Sequence, residues 1–297
     1  MRVNPNFTPD ILNDLWQSQA QEQTAIQQLA TGRRVNSPSD DPAAAAAEVQ
    51  NKALQGQTDQ FLKNTSNLEG TLQTADSTLS SVVTSLNQAI SLGVQGANGD
   101  LSSADQQAIA QQIQAIQSQM VQFGNTSYQG TYLFGGTATQ SAPFVLDPTQ
   151  SSGVRYDGNT NVNTVEISQG RSIQINAPGS QVFQGAGGSV MDSLQQLVTA
   201  LQDGNTDAIG TATTQVGTAL SYVSQQRVFY GSAINQLNSN QSSLQQEQVT
   251  LQTQETSLVG VDFAKAATDF TRAQTAQSAA LAAIAKVLPQ SLLDYLK

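Results

Sequence analysis

Neither cysteine nor histidine occurs in this chain, and basic residues are scarce, with 12 Lys and Arg against 22 Asp and Glu and a net charge of -10. The missing Cys and His remove the usual zinc ligands, the thiolate nucleophile and the commonest general base together. A disulfide framework is excluded by the same count. The acidic balance argues against nucleic acid, whose phosphates are neutralised by clustered Lys and Arg, and against an anionic membrane surface. Long hydrophobic runs are missing too. No stretch is long and apolar enough to span a bilayer. The opening MRVNPNFTPDILNDLW has no apolar core followed by a small-residue cleavage site, so no cleaved secretory signal is expected.

What is present is helical periodicity on both sides of a different middle. Leu54, Phe61, Leu68, Ala75, Val82 and Ala89 stand seven apart, with Leu72, Leu79 and Leu86 in the complementary position. This is a heptad seam. The segment Ser102–Gly124 carries Ile109, Ile113, Ile116, Met120 and Phe123 at alternating fours and threes, and GANGD before it reverses the chain. On the return, Ile209, Val216, Val223, Tyr230, Leu237, Leu244, Leu251 and Leu258 repeat the seven-residue spacing over a helix of roughly 70 to 80 Å. Between these arms, TYLFGG, PFVLD, VRYDG, TVEIS and SIQINAPG read as short strands separated by Gly, Pro, Asn and Asp. The YDGN step is a hairpin signal, and Val165, Ile167, Ile173 and Ile175 alternate with polar residues as on a sheet with one buried face.

The expected fold class is therefore mainly α with a small β domain: a long coiled-coil or helical-bundle shaft made from both chain ends, with the β-rich domain inserted in the middle. Residues 1–42 and 259–297 form a terminal coiled coil, 43–127 and 189–258 the helical-bundle shaft, and 128–188 the outer β-rich domain. In the first helix Leu12, Leu15, Ile26 and Leu29 share a heptad frame with Gln19 and Glu22, so this helix needs a partner. In the last, Phe263, Ala267, Phe270, Leu281, Ile284 and Leu288 form a matching stripe, and LPQSLLDYLK, with Leu292 and Tyr295, is apolar on several faces. These apolar positions are the candidate assembly interface.

The stretch from Leu29 to Gln50, LATGRRVNSPSDDPAAAAAEVQ, breaks the helices. Adjacent Asp40 and Asp41 invite acid-base or metal chemistry, but Asp41 before Pro42 and AAAAAE is the pattern of an N-cap, a proline at the first helical position and strong helix formers. Asp40 adds negative charge near that helix start. Gly32 stops the preceding helix. Arg33 and Arg34 complement its negative end. Gly32, Arg33, Arg34, Asn36, Asp40, Asp41 and Pro42 thus make a turn that connects two helices.

The same segment resembles the N-terminal signature of the bacterial flagellin superfamily, and the Pro after Asp-Asp, NTSYQGTYLFGGT and the terminal SLLDYL are similar to its hook-associated branch, which joins hook to filament. The resemblance implies a structural adaptor, with the chain ends paired in an inner tube, the long helices in the next layer and the middle projecting outward. It implies self-assembly in a ring or helical layer, contacts with a neighbouring hook-associated protein and a filament-side flagellin, and a cytoplasmic export chaperone on the segment from Phe263 to Leu296. It further implies type III export without a cleaved signal, and location in the extracellular flagellum. With the N-terminal helix so dependent on a partner, both termini are expected to be disordered in the free monomer and to fold on assembly.

Other readings stay open at this point. A filament-forming flagellin, or another type III secreted coiled-coil protein, shares the first signature. An enzyme would have to use carboxylates such as Asp147, Asp157 and Glu166, which fall at turns or on a polar strand face and are better explained by turn formation. TYLFGGT lacks the Lys-Ser/Thr of a phosphate loop. Surface adhesion could draw on Tyr128, Tyr132, Phe134, Phe144 and Tyr156, most of which are better explained as the small domain's core. No catalytic residue, metal ligand or cofactor is expected.

Overall fold

A computed structural model describes the backbone of residues 7–185 and 188–295, and the side chains of residues 12–185 and 188–285. The element order is α1 (Phe7–Thr31), α2 (Pro42–Gly96), α3 (Ser103–Gly124), β1 (Ser127–Tyr128), β2 (Thr131–Tyr132), β3 (Phe144–Leu146), β4 (Val154–Tyr156), β5 (Thr164–Ser168), β6 (Arg171–Gln174), α4 (Gly179–Phe183), α5 (Val190–Asp203), α6 (Thr206–Val259) and α7 (Phe263–Tyr295). The chain is mainly helical with a small β region in its middle, as the periodicities predict.

Capping chemistry sets most of the described helix ends. Ser102 Oγ accepts from Asp105 N at 3.2 Å and donates to Asp105 Oδ2 at 2.7 Å, starting α3. Ser189 Oγ accepts from Asp192 N to start α5, and Gly204, at φ +66°, ends it in the left-handed conformation. Asn205 Oδ1 accepts from Ala208 N at the start of α6, and Asp262 Oδ1 from Ala264 N and Lys265 N at the start of α7.

Two compact units divide the chain: Met1–Thr58 with Gln246–Lys297, and Asp59–Gln245. The larger unit holds the main core. Leu72, Leu79, Val82, Leu86 and Ala89 of α2 are fully buried together with Ile209, Val216, Val223 and Leu237 of α6. At about 1.5–3 kcal/mol for each fully buried leucine, burial along this seam stabilises the unit. Asp76 pairs with Arg227, and Gly93 lies against Thr213, so the two helices run antiparallel here. α5 packs on α3, closing the bundle.

The strands form three separate antiparallel hairpins, β1–β2, β3–β4 and β5–β6. Their apolar residues enter the helical core: Phe134, Phe144 and Phe183 make edge-on ring contacts, and Val154, Ile167 and Ile173 are buried in the same cluster. Tyr128, Tyr132 and Tyr156 are half-buried. Two buried polar side chains of α6 bind this region. Tyr230 Oη accepts from Ala177 N at 3.2 Å, and Asn240 Nδ2 donates to the Ile167 carbonyl at 2.7 Å.

Two sequence expectations need correction. The YDGN step does not close a hairpin, because β4 pairs back to β3 across the Asp147–Gly153 turn, and the next hairpin turns at Gly170, φ +70°. Asp157 is engaged by Arg155 and Gly158 lies against the Tyr156 ring, so this turn leads the chain away from β4. The α2 seam also changes at its beginning. Leu54 is exposed and Phe61 half-buried, while Asn51, Thr58 and Thr65 occupy the buried column that continues from Leu72.

Candidate assembly interface

The connecting turn belongs wholly to the smaller unit. Gly32, at φ +69°, ends α1, a conformation that glycine adopts without the steric cost of a Cβ. The chain then forms a short antiparallel bridge with the link between α6 and α7: Arg34 N donates to Val259 O at 2.7 Å and Val261 N to Gly32 O at 3.1 Å. Val35 is buried with Ala44 and Val259 beneath this bridge. The end of α1 therefore lies beside the start of α7.

Each acid of the turn has a distinct task. Asp41 Oδ1 accepts from Ala44 N at 3.0 Å, the N-cap expected from the sequence, and Asp41 Oδ2 accepts from both terminal nitrogens of Arg34 at 3.1 Å. Asp40 Oδ2 turns back to accept from Asn36 N at 2.9 Å and Ser37 N at 2.8 Å, closing the Ser37–Asp40 turn rather than acting on the helix start. The Ser37 and Asn36 amides hold the Asp40 carboxyl below its ordinary range, and the Ala44 amide, then Arg34, do the same for Asp41.

The arginines differ from expectation as well. Arg33 bonds Glu48 of α2, faces Glu255 of α6 at 3.9 Å and donates from Nε to the Val35 carbonyl at 3.3 Å. Arg34 donates to the Leu258 carbonyl at 2.9 Å, near the end of α6. They serve α2 and α6 instead of the end of α1, because the bridge carries both side chains towards those helices. Lys52 also binds Glu48, at 2.7 Å, and the Arg33 and Lys52 bonds lower the Glu48 carboxyl from its usual value. Asn36 Nδ2 donates to the Arg33 carbonyl at 2.9 Å, and Pro42 opens α2.

α1 and α7 pack together. The seam is made from small residues: Ser18 and Ala25 on α1, Ala266 and Ala273 on α7. Leu15, Glu22 and Leu29 flank it from one side, and Phe270, Gln277 and Ile284 from the other, all half-buried. The heptad frames read from the sequence are thus right at one of their two positions and displaced at the other. Small side chains permit close approach of the helices, so they take the contact positions. Leu12, Trp16, Ile26, Phe263 and Leu281 are left between 40% and 64% exposed. Gln19 is exposed as well. Leu288, Leu292 and Tyr295 lie outside the residues whose side chains are described. Trp16 did not stand out in the sequence, although a tryptophan one position off the predicted stripe was the available signal.

The carboxylates of the β region are occupied in turns. Asp147 accepts from Thr149 N and Oγ1, and shares Arg155 with Asp157. Glu166 Oε1 accepts from Gly170 N at 2.8 Å. Among the described residues no group of three or more acidic side chains is arranged to hold a metal ion, and no helix is long and apolar enough to cross a membrane.

Two sequence-family models match the chain: the bacterial flagellin N-terminal helical region over residues 8–139 and the bacterial flagellin C-terminal helical region over residues 213–296. Flagellar hook-associated protein 3 of Salmonella typhimurium is 32% identical over 173 residues, 58% of this chain and 53% of that protein. The chain therefore spans about half the length of this hook-associated relative. Flagellin of Listeria innocua is 27% identical over 250 residues, 82% of this chain and 80% of that one. Among solved structures, a putative flagellar hook-associated protein from Vibrio parahaemolyticus shares the fold, with a TM-score of 0.68 at 20% identity over 74% of this chain and 99% of that one.

Proposed function

Because this chain belongs to the bacterial flagellin family, we propose that it is a structural adaptor subunit that assembles through α1 and α7 at the junction between flagellar hook and filament. One observation carries the reading. The α1–α7 pair closes over alanine and serine while Leu12, Trp16, Ile26, Phe263 and Leu281 remain open to solvent, an apolar outlay that a free monomer does not use. At about 25 cal/mol per Å² of apolar surface, burial of these side chains against neighbouring copies would drive heterologous, repeating contacts. Leu15, Leu29, Phe270 and Ile284 complete the contacts inside the pair. Likeness to hook-associated protein 3 supports the junction role.

In this reading residues 1–42 and 259–297 act as the terminal coil, 43–127 and 189–258 as the shaft, and 128–188 as the outward region. The turn from Gly32 to Pro42 sets the connection between coil and shaft. Partners are copies of this chain, an adjoining hook-associated protein on one side and a filament-side flagellin or adaptor on the other. A cytoplasmic chaperone covers α7 before type III export. The role requires neither catalysis nor cofactor.

The match to flagellin over most of both chains favours a second reading, a filament-forming subunit. Seeded assembly separates the two. With purified hook ends and filament fragments as seeds, the adaptor caps ends and stops; growth of long filaments from this chain alone would replace the junction role with the filament one.

A further inference from the structure

We propose that Asn98, in the turn between α2 and α3, is a site of spontaneous backbone modification that converts it to aspartate and isoaspartate. The reaction is intramolecular. The Gly99 amide nitrogen, after losing its proton to hydroxide, attacks the Asn98 side-chain carbonyl carbon; the new C–N bond forms as the bond to Nδ2 breaks, and ammonia leaves with a proton from solvent. The resulting five-membered imide is opened by one water at either carbonyl. Attack at one restores the chain with an aspartate, and attack at the other routes the backbone through the side-chain carbon as isoaspartate.

The geometry of the turn meets each requirement of this step. Asn98, Gly99 and Asp100 are exposed, so hydroxide and water reach them. The Gly99 amide donates to no acceptor among the described residues, whereas Asp100 N donates to Asn98 Oδ1 at 3.4 Å. That contact folds the side-chain carbonyl back over the peptide whose nitrogen must attack it. Glycine supplies no Cβ to obstruct the approach, and the space around it is open.

Other sites of related chemistry are held shut. At Asn36 the side-chain amide donates to the Arg33 carbonyl at 2.9 Å, and the next amide, Ser37 N, is bonded to Asp40 Oδ2 at 2.8 Å. At Asp157–Gly158 the carboxylate is bound by Arg155 at 2.6 and 2.9 Å, and the glycine lies against the Tyr156 ring. Asn238 precedes a serine whose amide lies within the continuous helix α6.

The product changes the turn in two ways. It adds a carboxylate close beyond Gly96, at the negative end of α2, beside Asp100. Isoaspartate also inserts a backbone carbon and displaces the Asn98 carbonyl that Leu101 N uses at 3.2 Å, just before the Ser102 cap of α3. A long-lived extracellular copy would therefore accumulate a loosened entry to α3. This inference does not depend on the junction role.

The test uses the full chain, incubated for days at mildly alkaline pH, with isoaspartyl methyltransferase and a labelled methyl donor as the probe and peptide mapping by mass spectrometry as the locator. Conversion is expected to be faster at Asn98 than at Asn36, since only the former combines a free neighbouring amide with a glycine. Asn98→Gln should abolish the label at this site, and Gly99→Ala, which the open space accommodates and which keeps the attacking amide behind a Cβ, should slow it, both with unchanged circular dichroism. Absence of isoaspartate at Asn98, or equal conversion at Asn36, overturns the proposal.

Discussion

Replacing Val35 by Ala should loosen the bridge between the α1–α2 turn and the α6–α7 link without disturbing the larger unit. Val35 is 2% exposed and packs with Ala44 and Val259, so it shields the Arg34–Val259 and Val261–Gly32 hydrogen bonds from below. Removing two buried carbons, at about 0.8 kcal/mol each, costs about 1.6 kcal/mol, and the residual cavity raises this to about 2 kcal/mol. That corresponds to roughly a 30-fold rise in the local opening equilibrium. Amide hydrogen exchange reads it directly: protection of Arg34 N and Val261 N falls by that factor, while amides around Leu79 and Val216 keep theirs. Unchanged protection at the bridge would mean that Val35 does not hold it. An equal loss in both units would mean that the bridge has no stability of its own.

Three further outcomes follow from the same geometry. Tyr230→Phe leaves the buried Ala177 amide without its acceptor and should destabilise the larger unit by about 1–3 kcal/mol in denaturant unfolding; a change within error would show that the bond contributes nothing net. Asp40, Asp41 and Glu48 all have folded values below their unfolded ones, so their stabilisation is present above the ordinary carboxylate value of about 4 and disappears as pH falls through the folded values. Exchange at Asn36, Ser37 and Ala44 should quicken across that fall, and Asp40→Asn should remove the Asn36 and Ser37 parts of it; a flat profile contradicts the assignment. Ile26→Asp and Leu281→Asp, both at exposed positions, should leave the thermal unfolding of the monomer within about 0.5 kcal/mol of the parent and abolish assembly on seeds.

Much of this architecture was legible as periodicity. The Ile209-to-Leu251 column is buried along α6, and the Ser102-capped α3 begins and ends where its pattern does. Asp41 was readable as a cap because a cap is local. What escaped was set by partners distant in sequence. The α1–α7 seam selects Ser18, Ala25, Ala266 and Ala273 because two helices can approach closely over small side chains, a preference invisible to a count of large apolar residues. Arg33 and Arg34 find Glu48, Glu255 and the Leu258 carbonyl only once residues more than two hundred positions away form the bridge. The hairpin expected at YDGN failed for a local reason instead: Arg155 takes Asp157 and shapes the turn after β4.

The junction role is tested most directly by electron microscopy of flagella from cells deleted for this gene, with and without the intact chain supplied in trans. The account predicts completed hooks bearing no filaments, flagellin released to the medium, and restoration by the supplied chain. Normal filaments in the deletion strain would contradict it.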